Sequence, residues 1–153
     1  MKYLEDIMVG SVKNFGHYRV SKAEIISFAK RYHDQPFHTD EEATRGSIYG
    51  GLIASGWHVC AMFMRMACDA GAVECQPHGM GAPGIDDLKW PQPVRPGNVL
   101  SARTEVLSAD PSRLKPCLGV VRSKIQISNQ SGAVVMEMTA INWVLRRHVP
   151  TTD

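Results

Sequence analysis

One stretch constrains the fold of this chain most strongly: residues 50–71 are apolar on nearly every side when they are drawn as a helix. The stretch contains the run LIASGWHVCAMFMRMACDAG, in which the charged residues Arg65 and Asp69 lie towards one end. A helix that is apolar all round must be buried by other elements. We therefore expect one long helix inside the protein, covered by the elements that follow it along the chain.

The residues after this helix predict the layer that covers it. Apolar and polar residues alternate along residues 99–109, 117–128 and 133–145, which is typical of β-strands. The third segment is apolar on both faces, as in a strand that lies inside a sheet or at an interface. A buried helix followed by consecutive antiparallel strands predicts an α+β protein with the hot-dog fold, in which a curled antiparallel β-sheet wraps around one long central helix.

Two further helices are predicted before the buried one. Ser21 and Glu24 form a capping box, which predicts a helix that stops near His33, shortly before a proline. Thr39 and Glu42 repeat the capping pattern and predict a short second helix.

The length and composition narrow the class of protein. The 153 residues fit one domain over residues 1–149, with a loose tail at 150–153. Hydrophobic residues make up 44% and the net charge is +2, which argues against disorder and against nucleic-acid binding. The N-terminus lacks the apolar core of a signal peptide, and the most apolar stretch is too short to span a bilayer comfortably. We therefore expect a cytoplasmic protein with neither a membrane nor a nucleic acid as partner.

The four cysteines form no CxxC pair and lie in apolar surroundings. This pattern predicts buried, reduced thiols in preference to disulfides or zinc ligands. The cysteines are Cys60, Cys68, Cys75 and Cys117.

Two segments carry a family signature: residues 32–40 read YHDQPFHTD, and residues 48–58 read IYGGLIASGWH. They resemble the MaoC-like dehydratases and (R)-specific enoyl-CoA hydratases, whose motif D-x-[NQ]-P-x-H-x-D is followed by a glycine-rich turn into the central helix. The turn VRPGN at residues 94–98 is similar to the VRPGD element of the same family. Together these segments extend the resemblance over most of residues 21–145.

The resemblance implies a site that binds an acyl thioester of coenzyme A. In the family, an aspartate and a histidine activate one water molecule, and a backbone amide at the start of the central helix polarises the thioester carbonyl. His38 matches the catalytic histidine, and Gly56 matches the glycine that supplies the amide. The positions expected to bind the substrate are Gln35, Pro36, Phe37, Gly51, Ser55 and Trp57. No metal is expected, and coenzyme A enters only as part of the substrate.

The sequence leaves the position of the catalytic carboxylate open. Counted back from His38 without gaps, it falls on His33, whereas Asp34 lies one residue later. Either a small backbone shift lets Asp34 reach the site, or the imidazole of His33 replaces the carboxylate. If neither holds, the hydratase activity is lost, since a misplacement of about 1 Å can cost about a hundredfold in rate.

The sequence also offers candidates for the two ends of the substrate. The acyl chain could lie against Trp57, Met62, Phe63, Met64 and Met66, although most of such a stripe is expected to be core. The phosphates of coenzyme A could bind Arg95, Arg103, Arg113, Lys115 or Arg122, although basic residues scattered in this way are more typical of a solvated face.

Together these features predict reversible hydration of a trans-2-enoyl-CoA to a (3R)-3-hydroxyacyl-CoA. Histidine suits this chemistry because its usual pKa of about 6.5 lies near working pH. The resemblance also implies a homodimer or a larger homo-oligomer. Three alternatives stay open: a hot-dog acyl-CoA thioesterase, a catalytically impaired acyl-CoA-binding subunit, and a metal site made of His33, Asp34, His38 and Asp40.

Overall fold

The protein consists of one five-stranded antiparallel sheet and four α-helices in the part of the chain that the computed structural model describes, residues 2–72 and 79–148. A short 3-10 turn, Leu4–Asp6, precedes the first strand. The strands are β1 (Val12–Arg19), β2 (Gly84–Lys89), β3 (Val99–Pro111), β4 (Leu118–Ser128) and β5 (Val134–Leu145), and the helices are α1 (Lys22–Tyr32), α2 (Pro36–Thr39), α3 (Glu41–Arg45) and α4 (Gly56–Asp69). The strand order in the sheet is β1-β3-β4-β5-β2.

The core lies between α4 and the curled sheet. Met62 and Phe63 on α4 are each only 1% exposed, and they belong to one cluster with buried residues of β3, β4 and β5. Burying each such side chain stabilises the fold by about 1.5–3 kcal/mol. The sheet residues of this cluster include Leu100, Ile125, Ile127 and Met136. The arrangement confirms the predicted α+β hot-dog fold.

The central helix is shorter than predicted, because it begins at Gly56 and not at Gly50. Gly50 and Gly51 have positive φ angles of 64° and 150°, which no helix can include. After them the chain runs extended, and the amide of Ala54 donates to the carbonyl of Val94 over 2.8 Å. These glycines therefore form the turn into α4 and not its first turn.

The prediction that α4 is buried on all sides is wrong for this chain taken alone. Its outward face is solvent-accessible, with Trp57 59% exposed and Met64 41% exposed. The reason is geometric, since the sheet covers one side of the helix only. With 14 residues, α4 is also short, and within the described residues no helix is long and apolar enough to cross a membrane.

The three predicted strands are confirmed as β3, β4 and β5, with bounds that differ by no more than two residues. β5 lies inside the sheet between β4 and β2, which agrees with its two apolar faces. The edge strands β1 and β2 were not predicted from the sequence. Most of their residues are exposed, so they lack a clear alternation, and β2 is interrupted by a bulge at Asp87, whose φ is 54°.

The capping predictions have mixed outcomes. The hydroxyl of Ser21 accepts from the amide of Glu24 over 3.2 Å, and α1 ends at Tyr32, which confirms the helix and its N-cap. The capping box is not completed, because the carboxylate of Glu24 accepts from the hydroxyl of Tyr18.

The predicted second helix is present as α3, but its cap was assigned to the wrong residue, because Asp40 caps α3 and Thr39 does not. The carboxylate of Asp40 is a stronger acceptor than a hydroxyl. Its Oδ1 accepts hydrogen bonds from the amides of Glu42 and Ala43, over 2.9 and 3.1 Å.

The cysteines differ in part from the prediction. Cys60 and Cys117 are free, but Cys117 is exposed, and Cys68 is disulfide-bonded. A disulfide depends on the distance and orientation of two Cβ atoms, which spacing along the chain does not reveal. Cys75 and the predicted tail at residues 150–153 lie outside the described residues.

Candidate active site

A cavity of about 480 Å³ lies at the N-terminal end of α4. The turns that precede α2 and α4 meet there, so residues far apart in the chain share its walls. The lining consists of His33, Phe37, His38, Tyr49, Ile53, Ala54, Gly56, Trp57, Val59, Trp90, Pro91, Gln92, Pro93 and Val94. His33 and His38, the two histidines of the first signature segment, therefore line one cavity.

His38 is held in a single orientation at the base of this cavity. Its side chain is buried, and Nδ1 lies 2.8 Å from the carbonyl oxygen of Ile53. A carbonyl can only accept, so Nδ1 carries a proton. Burial lowers the pKa of His38 below its usual value of 6.5, and the neighbouring His33 lowers it further, while the bond to Ile53 opposes both. The lowered pKa favours the neutral imidazole, whose Nε2 has a lone pair that can accept a proton.

His33 lies beside His38 at the end of α1. The two ring centroids are 4.8 Å apart, with the rings tilted by 56°. Nδ1 of His33 lies 2.9 Å from the hydroxyl oxygen of Ser55, the residue that precedes α4. The structure therefore joins His33, His38 and the start of α4 in one group.

Asp34 does not reach this group. It is exposed, and it is not among the residues that line the cavity. Adjacent side chains on non-helical backbone point in different directions, so a chain that turns His33 inwards turns Asp34 outwards. The structure thus does not support the shift that would bring Asp34 into the site, and within the described part of the chain the lining contains no Asp or Glu.

The other expected binding residues divide into two groups. Phe37 and Trp57 line the cavity, and Ser55 is buried behind it. Gln35 and Pro36 are exposed, because they form the outward start of α2. Gly51 is not in the lining, and a Cβ at this glycine would lie 3.4 Å from the guanidinium of Arg95.

The start of α4 has free hydrogen-bonding capacity towards the cavity. Ser55 is the N-cap residue, yet its side chain makes no capping bond, since its hydroxyl contacts His33. The first amides of a helix have no partner within the helix and carry a partial positive charge. Gly56 is the first residue of α4 and lines the cavity, so its amide can stabilise an oxygen that becomes negative.

Trp90 is a cavity residue that the sequence analysis missed. Its indole lies against Gly56 so closely that a Cβ at this glycine would be 2.5 Å from Cε2 of the ring. The ring also meets Trp57 edge-on, with a centroid distance of 5.6 Å. The only signal in the sequence is a tryptophan directly before the turn-forming run Pro91-Gln92-Pro93, which by itself does not indicate a contact with α4.

The candidates for the acyl chain and the phosphates are mostly engaged elsewhere. Met62, Phe63 and Met66 are core residues, and Met64 is exposed on the outer side of α4. Among the basic residues, Arg103 pairs with Glu105, Arg122 pairs with Asp86, and Arg95 donates to the carbonyl of Tyr49.

The alternative metal site is not assembled. His33 and His38 lie side by side, whereas Asp34 and Asp40 are exposed. Over the described ranges, no three His, Cys, Asp or Glu side chains lie close enough together to hold one ion.

Comparison with known proteins agrees with this fold and identifies the family. The profile of the MaoC like domain matches residues 9–126. A MaoC-like dehydratase from Rhodospirillum rubrum is 41% identical, with a TM-score of 0.86, and the match covers 97% of this chain and 99% of that one. The Bacillus subtilis (strain 168) protein YdeM, itself uncharacterized, is 27% identical over 137 residues, 88% of this chain and 92% of its own length. The R-hydratase PhaJ1 from Pseudomonas aeruginosa shares the fold, with a TM-score of 0.73 at 18% identity over 99% of this chain and 95% of its own. The chain therefore belongs to the family of MaoC-like domains.

Proposed function

We propose that this protein catalyses the reversible hydration of a trans-2-enoyl thioester of coenzyme A. The observation that carries the proposal is that one cavity holds both His38, whose Nδ1 is fixed by the Ile53 carbonyl, and Gly56, the first residue of α4. Hydration of a conjugated thioester needs a base for water and a donor for the carbonyl oxygen. These two residues can supply them.

The proposed reaction runs in two proton transfers. The oxygen of a water molecule bonds to the β-carbon of the enoyl group, while one water proton passes to Nε2 of His38. The electrons of the double bond move into the thioester, and the amide of Gly56 stabilises the negative carbonyl oxygen. His38 then returns the proton to the α-carbon on the same face. By analogy with the (R)-hydratases that share the fold, the product would be the (3R)-3-hydroxyacyl thioester.

We propose that His33 takes the place of the family's catalytic carboxylate. Its ring lies beside that of His38 and borders the same cavity, so both imidazoles could hold one water molecule. The hydroxyl of Ser55 fixes the ring through Nδ1, whichever of the two atoms donates. This arrangement would orient the water without a negative charge in the site.

We also propose that the protein is at least a homodimer. Within the described residues, β2 pairs with β5 alone and leaves its other edge open. Exposed apolar side chains also occur on α4 and on β2, namely Trp57, Met64 and Ile85. An open sheet edge and exposed apolar side chains are features that pairing with a second copy would cover.

One observation favours a second candidate, an acyl-CoA-binding subunit without turnover. The described lining of the cavity contains no carboxylate, although the family motif places one there. Such a protein would keep the affinity for the thioester but would not convert it.

The decisive experiment mixes the purified full-length chain with crotonyl-CoA and follows the loss of the enoyl absorbance. The hydratase proposal predicts turnover that His38→Ala abolishes. Release of free thiol from saturated acyl-CoAs, without hydration, would instead establish a thioesterase. Tight binding of acyl-CoA with neither reaction would establish the binding subunit.

A further inference from the structure

The indole of Trp90 forms a wall across the first turn of α4. A Cβ on Gly56 would come within 2.5, 2.8 and 2.9 Å of three ring carbons, so the ring lies directly against the backbone of Gly56. Trp90 is 40% exposed, because its opposite side faces solvent. The gap between the end of β2 and the start of α4 is therefore filled by one side chain.

Two neighbours hold this ring in place. Its edge-on contact with Trp57 brings the centroids to 5.6 Å. Its flat side lies against the backbone of Gly56 at the start of α4. The ring is thus an anchored part of the cavity.

The backbone on both sides of Trp90 adds to this constraint. Asp87 adopts a left-handed φ of 54°, and the bulge it creates shifts the register of β2 against β5. Leu88 then packs against the core, and Pro91 follows Trp90 directly. A bulge next to a site commonly redirects a side chain, and a proline restricts the residue before it.

We propose that Trp90 limits the length of the acyl chain, so that the enzyme acts on short enoyl thioesters. The inference rests on the proposed function, in which the thioester carbonyl binds at the Gly56 amide. The lining next to Gly56 is apolar, with Val59, Trp57 and Trp90, which suits an acyl group better than the polar pantetheine arm. With the acyl group packed there, a longer chain meets the indole that lies against Gly56.

The test compares trans-2-enoyl-CoAs of four, eight and twelve carbons in the wild type and in Trp90→Ala. One misfitting methylene in an apolar pocket costs about tenfold or more in kcat/KM. We expect the wild type to prefer the four-carbon substrate, and Trp90→Ala to shift the ratio at least about tenfold towards eight carbons. Trp143→Phe, a tryptophan on β5 outside the cavity lining, is the matched control and should keep the wild-type ratio. Equal ratios in wild type and Trp90→Ala would overturn the proposal.

Equilibrium binding separates this proposal from the hydratase assignment. Titration calorimetry with butanoyl-, octanoyl- and dodecanoyl-CoA requires no turnover. If no enoyl-CoA is hydrated, yet Trp90→Ala gains affinity for octanoyl-CoA relative to butanoyl-CoA, the role of Trp90 stands and the hydratase assignment falls. If neither protein discriminates by length, the role of Trp90 falls, whatever the catalytic result. Trp90→Leu gives a second variant in case the alanine variant does not fold.

Discussion

Nδ1 of His33 lies 2.9 Å from the hydroxyl oxygen of Ser55, which diverts the N-cap residue of α4 from its usual partner. An N-cap serine normally accepts from an amide of the first turn, and this bond stabilises a helix by about 1 kcal/mol. In this protein the hydroxyl orients an imidazole instead. The first amides of α4 are thereby left without a side-chain cap at the very place where the cavity opens.

Replacing Ser55 should therefore affect activity more than stability. Ser55→Ala removes the partner of His33 but breaks no capping bond, so we expect hydration to fall about tenfold with a loss of less than about 1 kcal/mol in the free energy of unfolding. Ser21→Ala is the matched control, because Ser21 does cap α1. It should lose about 1 kcal/mol and keep its rate. Urea unfolding measures the stability of each variant, and crotonyl-CoA hydration measures its rate. Similar changes in stability and rate for Ser55→Ala and Ser21→Ala would refute the expected difference between the two serines.

His33 and Asp34 should respond in opposite ways to substitution. Asp34 is exposed outside the cavity, so Asp34→Asn should leave the rate within about twofold of wild type. His33→Ala should lower the hydration rate about a hundredfold, because the water molecule would then have only one of its two imidazole partners. His33→Asp restores a carboxylate at the family position and should retain turnover. A large loss in Asp34→Asn, with His33→Ala unaffected, would return the catalytic role to Asp34.

The pH dependence of kcat/KM should reveal the environment of His38. Burial lowers its pKa below 6.5, so the neutral base persists to lower pH than in a free histidine. The rate should stay level down to about pH 6.5 and decline only below it, as His38 becomes protonated. A profile measured with crotonyl-CoA between pH 5 and 8 checks this. An acid limb centred above pH 6.5 would contradict the buried-base interpretation.

A double substitution can separate the steric requirement at Gly56 from its hydrogen bond. Gly56→Ala keeps the amide but places a methyl group against the indole of Trp90, so it should lose stability by about 1–3 kcal/mol and lose activity as well. Adding Trp90→Ala removes the clash, and both properties should recover in part. Gly46→Ala is the control, because a Cβ there meets nothing within 4 Å. Effects that simply add in the double variant would show that the two residues are not coupled.

Some elements of the fold could be predicted because their signals are local and periodic. The inner strands bury one or both faces, so their alternation is strong, as in β4, where Val121, Ser123, Ile125 and Ile127 are buried. The edge strands β1 and β2 face solvent along most of their length and show no such pattern. The sequence places the start of α4 too early, because the apolar run already includes Leu52 and Ala54. In the structure this segment is extended, and the amide of Ala54 donates to the carbonyl of Val94.

The sequence by itself determined the fold class, the family motif and the identity of His38 and Gly56 as candidates, because each depends on residue type and on short spacing. Only the tertiary structure decided which of two adjacent residues, His33 or Asp34, faces the cavity. It also decided that Ser55 binds His33, 22 positions earlier, and that Trp90 covers Gly56. Such contacts depend on how separate elements pack, and the orientation of a side chain at a turn depends on backbone angles that no local pattern specifies.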